Sequence, residues 1–142
     1  MLFNKRERKI RRILVVEDEP LVAFDNEHLL TDAGYEIVGT VDNLADAARL
    51  IEEERPDLVL CDITLNGDGD GIDVARTAGA SKVPVLFVSG NCPVEAQSLA
   101  VGCLAKPYSD KMLKTALEAL DARLHGRKVK KLPAGLSLYE TT

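Results

Sequence analysis

The stretch Ile13-Leu14-Val15-Val16-Glu17-Asp18 decides how this chain is read, because four apolar residues run straight into a pair of acids. Three of the four are β-branched, which suits a pleated strand. The pattern recurs three times: Leu58-Val59-Leu60-Cys61 before Asp62, Val85-Leu86-Phe87-Val88 before Ser89, and Cys103-Leu104-Ala105 before Lys106. Runs that are apolar throughout are strands covered on both faces, the signature of a parallel sheet. Parallel strands in an open sheet bring their carboxyl ends to one edge, where ligands bind. Glu17, Asp18, Asp62, Ser89 and Lys106 therefore converge. Three carboxylates, a hydroxyl and an ammonium at one point can hold a divalent cation and a phosphoryl group together.

The segments between these strands read as helices. Pro20 opens the first at a position where its missing N–H costs nothing, and Gly34 stops it. Its buried residues are expected to be Leu21, Phe24, Leu29 and Leu30. Tyr35–Thr40 alternates weakly and reads as the second strand. Asp42 or Asn43 caps a helix with Leu44, Ala47, Ala48 and Ile51 on one face, closed by Pro56. The run Asn66-Gly67-Asp68-Gly69-Asp70-Gly71 is a mobile, turn-rich loop, followed by a helix from about Ile72 to Ala80. Residues 93–101 supply only about two helical turns. Ser109 or Asp110 caps a last helix carrying Met112, Leu113, Leu117, Leu120 and Leu124. The tail from Gly126 reads as mobile or laid on the surface. The expectation is an α/β fold, a five-stranded parallel doubly wound sheet of (βα)5 form.

With 142 residues, 46% of them hydrophobic, the chain can build one core and not two. The net charge of -5 hides an uneven distribution. Residues 1–12 carry six basic side chains against one acid, and residues 123–142 five against one, so the middle is strongly acidic. Such a body repels a phosphate backbone, which argues against general nucleic-acid binding. The basic ends read as solvated tails. The division expected is a basic extension over 1–12, a domain over 13–124 and a tail over 125–142. Cys61, Cys92 and Cys103 lack metal-type pairing and read as buried, reduced thiols of a cytoplasmic protein. Neither a secretory leader nor a membrane span is expected. His28 and His125 are isolated and read as core edge and surface.

Glu17-Asp18, Asp62, Asp70-Gly71, Ser89-Gly90 and Lys106-Pro107, in this order and each near a strand terminus, resemble the response-regulator receiver domain. That family is the phosphate-accepting half of two-component signalling, and the resemblance runs from about Ile13 to Leu124. It implies that Asp62 is the phosphoacceptor. It implies Mg²⁺ or Mn²⁺ held by Glu17, Asp18, Asp62 and the backbone carbonyl of Thr64, two residues after the acceptor. Oxygen donors of this kind suit a hard divalent cation. Lys106 would pair with Asp62 at rest and with a phosphoryl oxygen afterwards, while Ser89 would donate to another. Gly90 leaves the acceptor open to a bulky donor, and Thr64 and Asn91 sit where side chains could tune phosphoryl lifetime. The implied partners are a sensor histidine kinase or a histidine phosphotransfer protein, and a downstream protein. After Leu124 too little chain follows for a DNA-binding output domain of ordinary size. A monomer or weak dimer is expected.

Departures from the family pattern are as specific. Cys103 stands where an aromatic switch residue usually lies, three positions before the lysine, and Asn66 stands where a proline is usual. Only 17 positions separate Ser89 from Lys106, which abbreviates the helix between them. Phe87-Val88-Ser89-Gly90 resembles the Phe-Ala-Thr-Gly signature of a largely alphaproteobacterial receiver subgroup that also lacks the aromatic switch and often stands alone. Two other functions compete. A metal-dependent phosphohydrolase of related topology would share the nucleophilic Asp, but usually carries an acid two residues later, where Thr64 stands. A phosphorylation-independent receiver relic would bind partners constitutively.

Overall fold

The computed structural model describes residues 8–65, 70–127 and 132–139. The elements run β1 (Arg12–Val16), α1 (Pro20–Asp32), β2 (Glu36–Val41), α2 (Leu44–Glu54), β3 (Leu58–Asp62), α3 (Gly71–Ala80) and β4 (Val85–Ser89). A 3₁₀ turn (Val94–Ser98), β5 (Gly102–Ala105), α4 (Asp110–Leu124) and β6 (Leu136–Leu138) complete the described chain. The sheet order is β2-β1-β3-β4-β5-β6, with every pair parallel except the antiparallel β5–β6.

Strand periodicity divides the core in two. Leu14, Val16, Val59, Cys61, Val85, Phe87 and Cys103 face α2, α3 and the 3₁₀ turn. Ile13, Val15, Leu58, Leu60, Leu86, Val88 and Leu104 face the other way, against α4 and Leu30 of α1. Successive side chains on a strand point to opposite faces, so an unbroken apolar run feeds two cores at once. The caps are those the sequence suggests: Asn43 accepts from Asp46 N–H ahead of α2, and Ser109 from Met112 N–H ahead of α4.

Four expectations need correction. The sheet has six strands, because residues 136–138 of the supposed surface tail pair with β5 and bury Leu136 and Tyr139. Gly102 makes this possible, since a Cβ there would lie 2.7 Å from the Ser137 carbonyl oxygen. Helix α1 buries Ala23, Asn26 and Leu30 and leaves Leu21 and Phe24 79% and 61% exposed. The helix turns a small and a polar residue inward, so the larger apolar pair faces out. Leu124, expected on the apolar face of the last helix, is exposed at its end. Cys92 and Cys103, expected as thiols, are joined in a disulfide, and Cys61 alone of the three is free. Residues 66–69, the heart of the glycine-rich loop, lie outside the described residues, as do 1–7 and 128–131 within the basic ends.

The basic N-terminal segment is anchored where it can be seen. Asp121 of α4, 1% exposed, accepts from Lys9 N–H at 2.9 Å and Ile10 N–H at 3.4 Å. Arg8 stacks over the Tyr35 ring and donates to the Ala33 carbonyl. Among the described residues, no helix is long and apolar enough to cross a membrane.

Candidate phosphoryl and metal site

Three strand ends build the centre of the site. β1 delivers Glu17 and Asp18, β3 delivers Asp62, and the residue after β5 is Lys106. One carboxylate oxygen from each of Glu17, Asp18 and Asp62 lies within 4.8 Å of the others. Glu17 is 3% exposed and Asp62 6%, an unusual depth for acids. Lys106 compensates: its Nζ donates to Asp62 Oδ2 at 3.1 Å and to Glu17 Oε1 at 3.4 Å. The remaining oxygens accept backbone donors, Asp62 Oδ1 from Thr64 N–H at 3.1 Å and Glu17 Oε2 from Glu19 N–H at 3.1 Å.

The electrostatics follow from burial. Desolvation pushes the Glu17 carboxyl up to about 7, opposed by the Glu19 amide, reinforced by the Asp62 charge and opposed again by Lys106. Burial by itself would lower the Lys106 ammonium, but its hydrogen bond to Asp62 and the charges of Glu17 and Asp62 win, so it is held above its ordinary value. Two buried acids and one partly buried base share the pocket, with Asp18 at its more open side. An all-oxygen donor set with surplus negative charge fits a small hard cation such as Mg²⁺.

Gly71 is a structural key to Asp62. A Cβ at Gly71 would lie 2.2 Å from the Asp62 carbonyl oxygen and 2.6 Å from Ile63 Cα, so α3 presses directly on the acceptor's backbone. Gly71 N–H donates to Ile63 O at 2.7 Å, and Asp70 caps the helix in a reciprocal capping box with Asp73. The Asp70-Gly71 pair thus locks the segment after Asp62 against the start of α3.

Other sequence-selected residues lie around this centre, and of them Thr64 touches it through its N–H to Asp62. Ser89 Oγ donates to the Asn91 carbonyl at 2.9 Å and accepts Asn91 N–H at 3.2 Å, a local turn. Its backbone carbonyl accepts Lys106 N–H at 2.8 Å, so the two residues are tied through main chain. Gly90 is exposed with open space about it, and the Thr64 residue is exposed. Cys103 is fully buried in the α2–α3 core, in register with Phe87. Tyr108 and Asn26 were not selected from sequence, yet Tyr108 O–H donates to Asn26 Oδ1 at 3.1 Å beside the site. With Glu19, Val22, Lys106 and Pro107 they line a groove of about 490 Å³. A polar residue in register with Ala23 and Leu30 on α1 is the signal that could have found Asn26.

The comparisons with known proteins point one way. Residues 13–118 match the response regulator receiver domain family. The chain is 34% identical over 119 residues to the transcriptional regulatory protein PdtaR of Mycobacterium tuberculosis H37Rv, covering 80% of this chain and 58% of PdtaR. It is 26% identical over 114 residues to the chemotaxis protein CheY of Thermotoga maritima, covering 75% of this chain and 94% of CheY. Among solved structures, the signal receiver domain of a modulated diguanylate cyclase from Desulfovibrio desulfuricans G20 superposes with a TM-score of 0.72 at 29% identity. That superposition covers 82% of this chain and 97% of the other. The response regulator PhyR from Brucella abortus gives 0.71 at 29% identity, over 84% of this chain and 51% of PhyR. The chain spans little more than half the length of PdtaR.

Proposed function

We propose, for a chain that belongs to the response regulator receiver domain family, that Asp62 accepts a phosphoryl group from a phosphohistidine donor and that Mg²⁺ is required. Glu17, Asp18 and Asp62 would hold the ion, with the Thr64 carbonyl as a backbone ligand. Bound there, the ion offsets the repulsion between the carboxylates and an incoming phosphoryl group. The observation that carries this reading is the shared donation of Lys106 to Asp62 and Glu17, which places a cation against the nucleophilic carboxylate at depth.

The chemistry left to the protein is positioning. Asp62 Oδ1 is fixed by Thr64 N–H and Oδ2 by Lys106. On transfer, a carboxylate oxygen of Asp62 forms the bond to phosphorus while the donor nitrogen leaves. Lys106 then moves its donors to a phosphoryl oxygen, a short displacement for a flexible stem. Ser89 reaches the phosphoryl group only by giving up its turn with Asn91. Open space at Gly90 admits a donor side chain. The partners are a sensor histidine kinase or histidine phosphotransfer protein, and a downstream protein read through contact.

Incubation with a small acyl phosphate and Mg²⁺, followed by intact mass, tests this. One lasting phosphoryl group per chain is expected. Fast release of phosphate without a lasting adduct would mean a hydrolase, and no adduct would mean a relic that binds partners unphosphorylated.

A further inference from the structure

A disulfide joins the loop after β4 to β5. Cys92 and Cys103 lie 11 positions apart in sequence with Cα atoms 6.2 Å apart. Cys103 is wholly buried, whereas Cys92 is partly exposed and follows the Ser89–Asn91 turn directly. The residues between are held lightly besides, with Leu99 packed partly buried against the core. Of residues 93–100 only Ala96 and Ala100 are buried, and a methyl group buries little area. Their backbone bonds are local, Ala96 N–H to Pro93 O, Leu99 N–H to Ala96 O and Ala100 N–H to Ala96 O. The first long-range bond comes only at Val101, whose N–H donates to Val85 O.

We propose that Cys92–Cys103 is a thiol–disulfide exchange site, opened by a dithiol, whose bond pins residues 92–100 to the sheet. The dithiol's first thiolate attacks the accessible Cys92 sulfur, and Cys103 leaves as a thiolate that takes up a proton. The dithiol's second thiol then attacks the mixed disulfide, releasing Cys92 as a thiol and the reductant as an intramolecular disulfide. Two electrons and two protons pass to the protein. Cys61 takes no part, because it is wholly buried and out of reach of a dithiol. Opening the bond frees the loop that carries the Ser89 turn. Taking Ser89 as a hydrogen-bond donor to the phosphoryl group, which rests on the proposed function, the redox state then sets how readily that hydroxyl turns inward.

The full chain, oxidised with glutathione disulfide or reduced with dithiothreitol, is compared by thiol alkylation with intact mass and by amide exchange. Glutathione disulfide should leave Cys92 and Cys103 unalkylated, and dithiothreitol should restore both thiols. Residues 92–100 should exchange on the order of tenfold faster when reduced, since the bond closes a short loop. Cys92→Ser should exchange like the reduced protein in either buffer. The proposal is overturned if both cysteines alkylate after glutathione disulfide, or if exchange over 92–100 is equal in the two states. It is equally overturned if Cys92→Ser stays as protected as the oxidised wild type. If a small acyl phosphate labels neither redox form, the phosphoacceptor reading fails, and exchange alone still decides the disulfide.

Discussion

Lys106 donates to Asp62 across 3.1 Å although the two residues come from strands that are not neighbours, with β4 lying between them. The same ammonium reaches Glu17 at 3.4 Å, so one base answers two nearly buried acids. Lys106→Ala leaves both without their cation. It should lower metal-free stability by about 1–3 kcal/mol, the cost of orphaning a buried polar partner. Thermal melting with and without Mg²⁺ checks this, and the deficit should shrink when the ion is present.

The Glu17 carboxyl, pushed to about 7 mainly by burial against an ordinary 4.5, makes stability pH-dependent. The native state holds this proton more tightly than the unfolded chain, so the contribution is complete below about 4.5 and is lost as pH rises through about 7. Wild type should therefore lose stability relative to Glu17→Gln over that window, by up to ~1.4 kcal/mol per pH unit. Denaturant unfolding of both proteins at several pH values measures the difference. Mg²⁺ affinity should fall as pH drops below 7 in wild type, because the ion competes with that proton.

Asp18→Asn removes one of three converging acids without touching the Lys106 pairs. Less repulsion remains in the metal-free pocket, so its melting temperature should rise while Mg²⁺ binds more weakly. Melting curves across a Mg²⁺ titration should cross, the variant being the more stable without metal and the less stabilised by it.

Gly71→Ala and Gly102→Ala test two close approaches. The first forces a Cβ onto the Asp62 backbone and the second onto the Ser137 carbonyl. Each should cost about 1–3 kcal/mol by overpacking. Their consequences should separate: Gly71→Ala should weaken Mg²⁺ binding, whereas Gly102→Ala should loosen residues 136–138 in amide exchange and leave the metal site alone.

The parallel sheet and the convergence of Glu17, Asp18, Asp62 and Lys106 were legible because unbroken apolar runs and the residues after them are local signals. Helix α1 was misread because Leu21 and Phe24 look like a core stripe, while the buried face uses Ala23 and Asn26, which only the packed sheet selects. Strand β6 was invisible because three residues carry almost no periodicity, and its pairing depends on a gap at the distant Gly102. The cysteine pair could not be read from spacing, since contact between residues 92 and 103 follows from where β5 returns to the sheet. The resting position of Ser89, turned toward Asn91, also belongs to tertiary structure and not to its motif.

The most direct test of the central claim is intact mass and peptide mapping of wild type and Asp62→Asn after exposure to a small acyl phosphate, with Mg²⁺ and with chelator. Wild type should gain one phosphoryl group, mapped to Asp62, only when the metal is present, and Asp62→Asn should gain none. Labelling of Asp62→Asn at the wild-type rate, or labelling of wild type undiminished by chelator, would contradict the account.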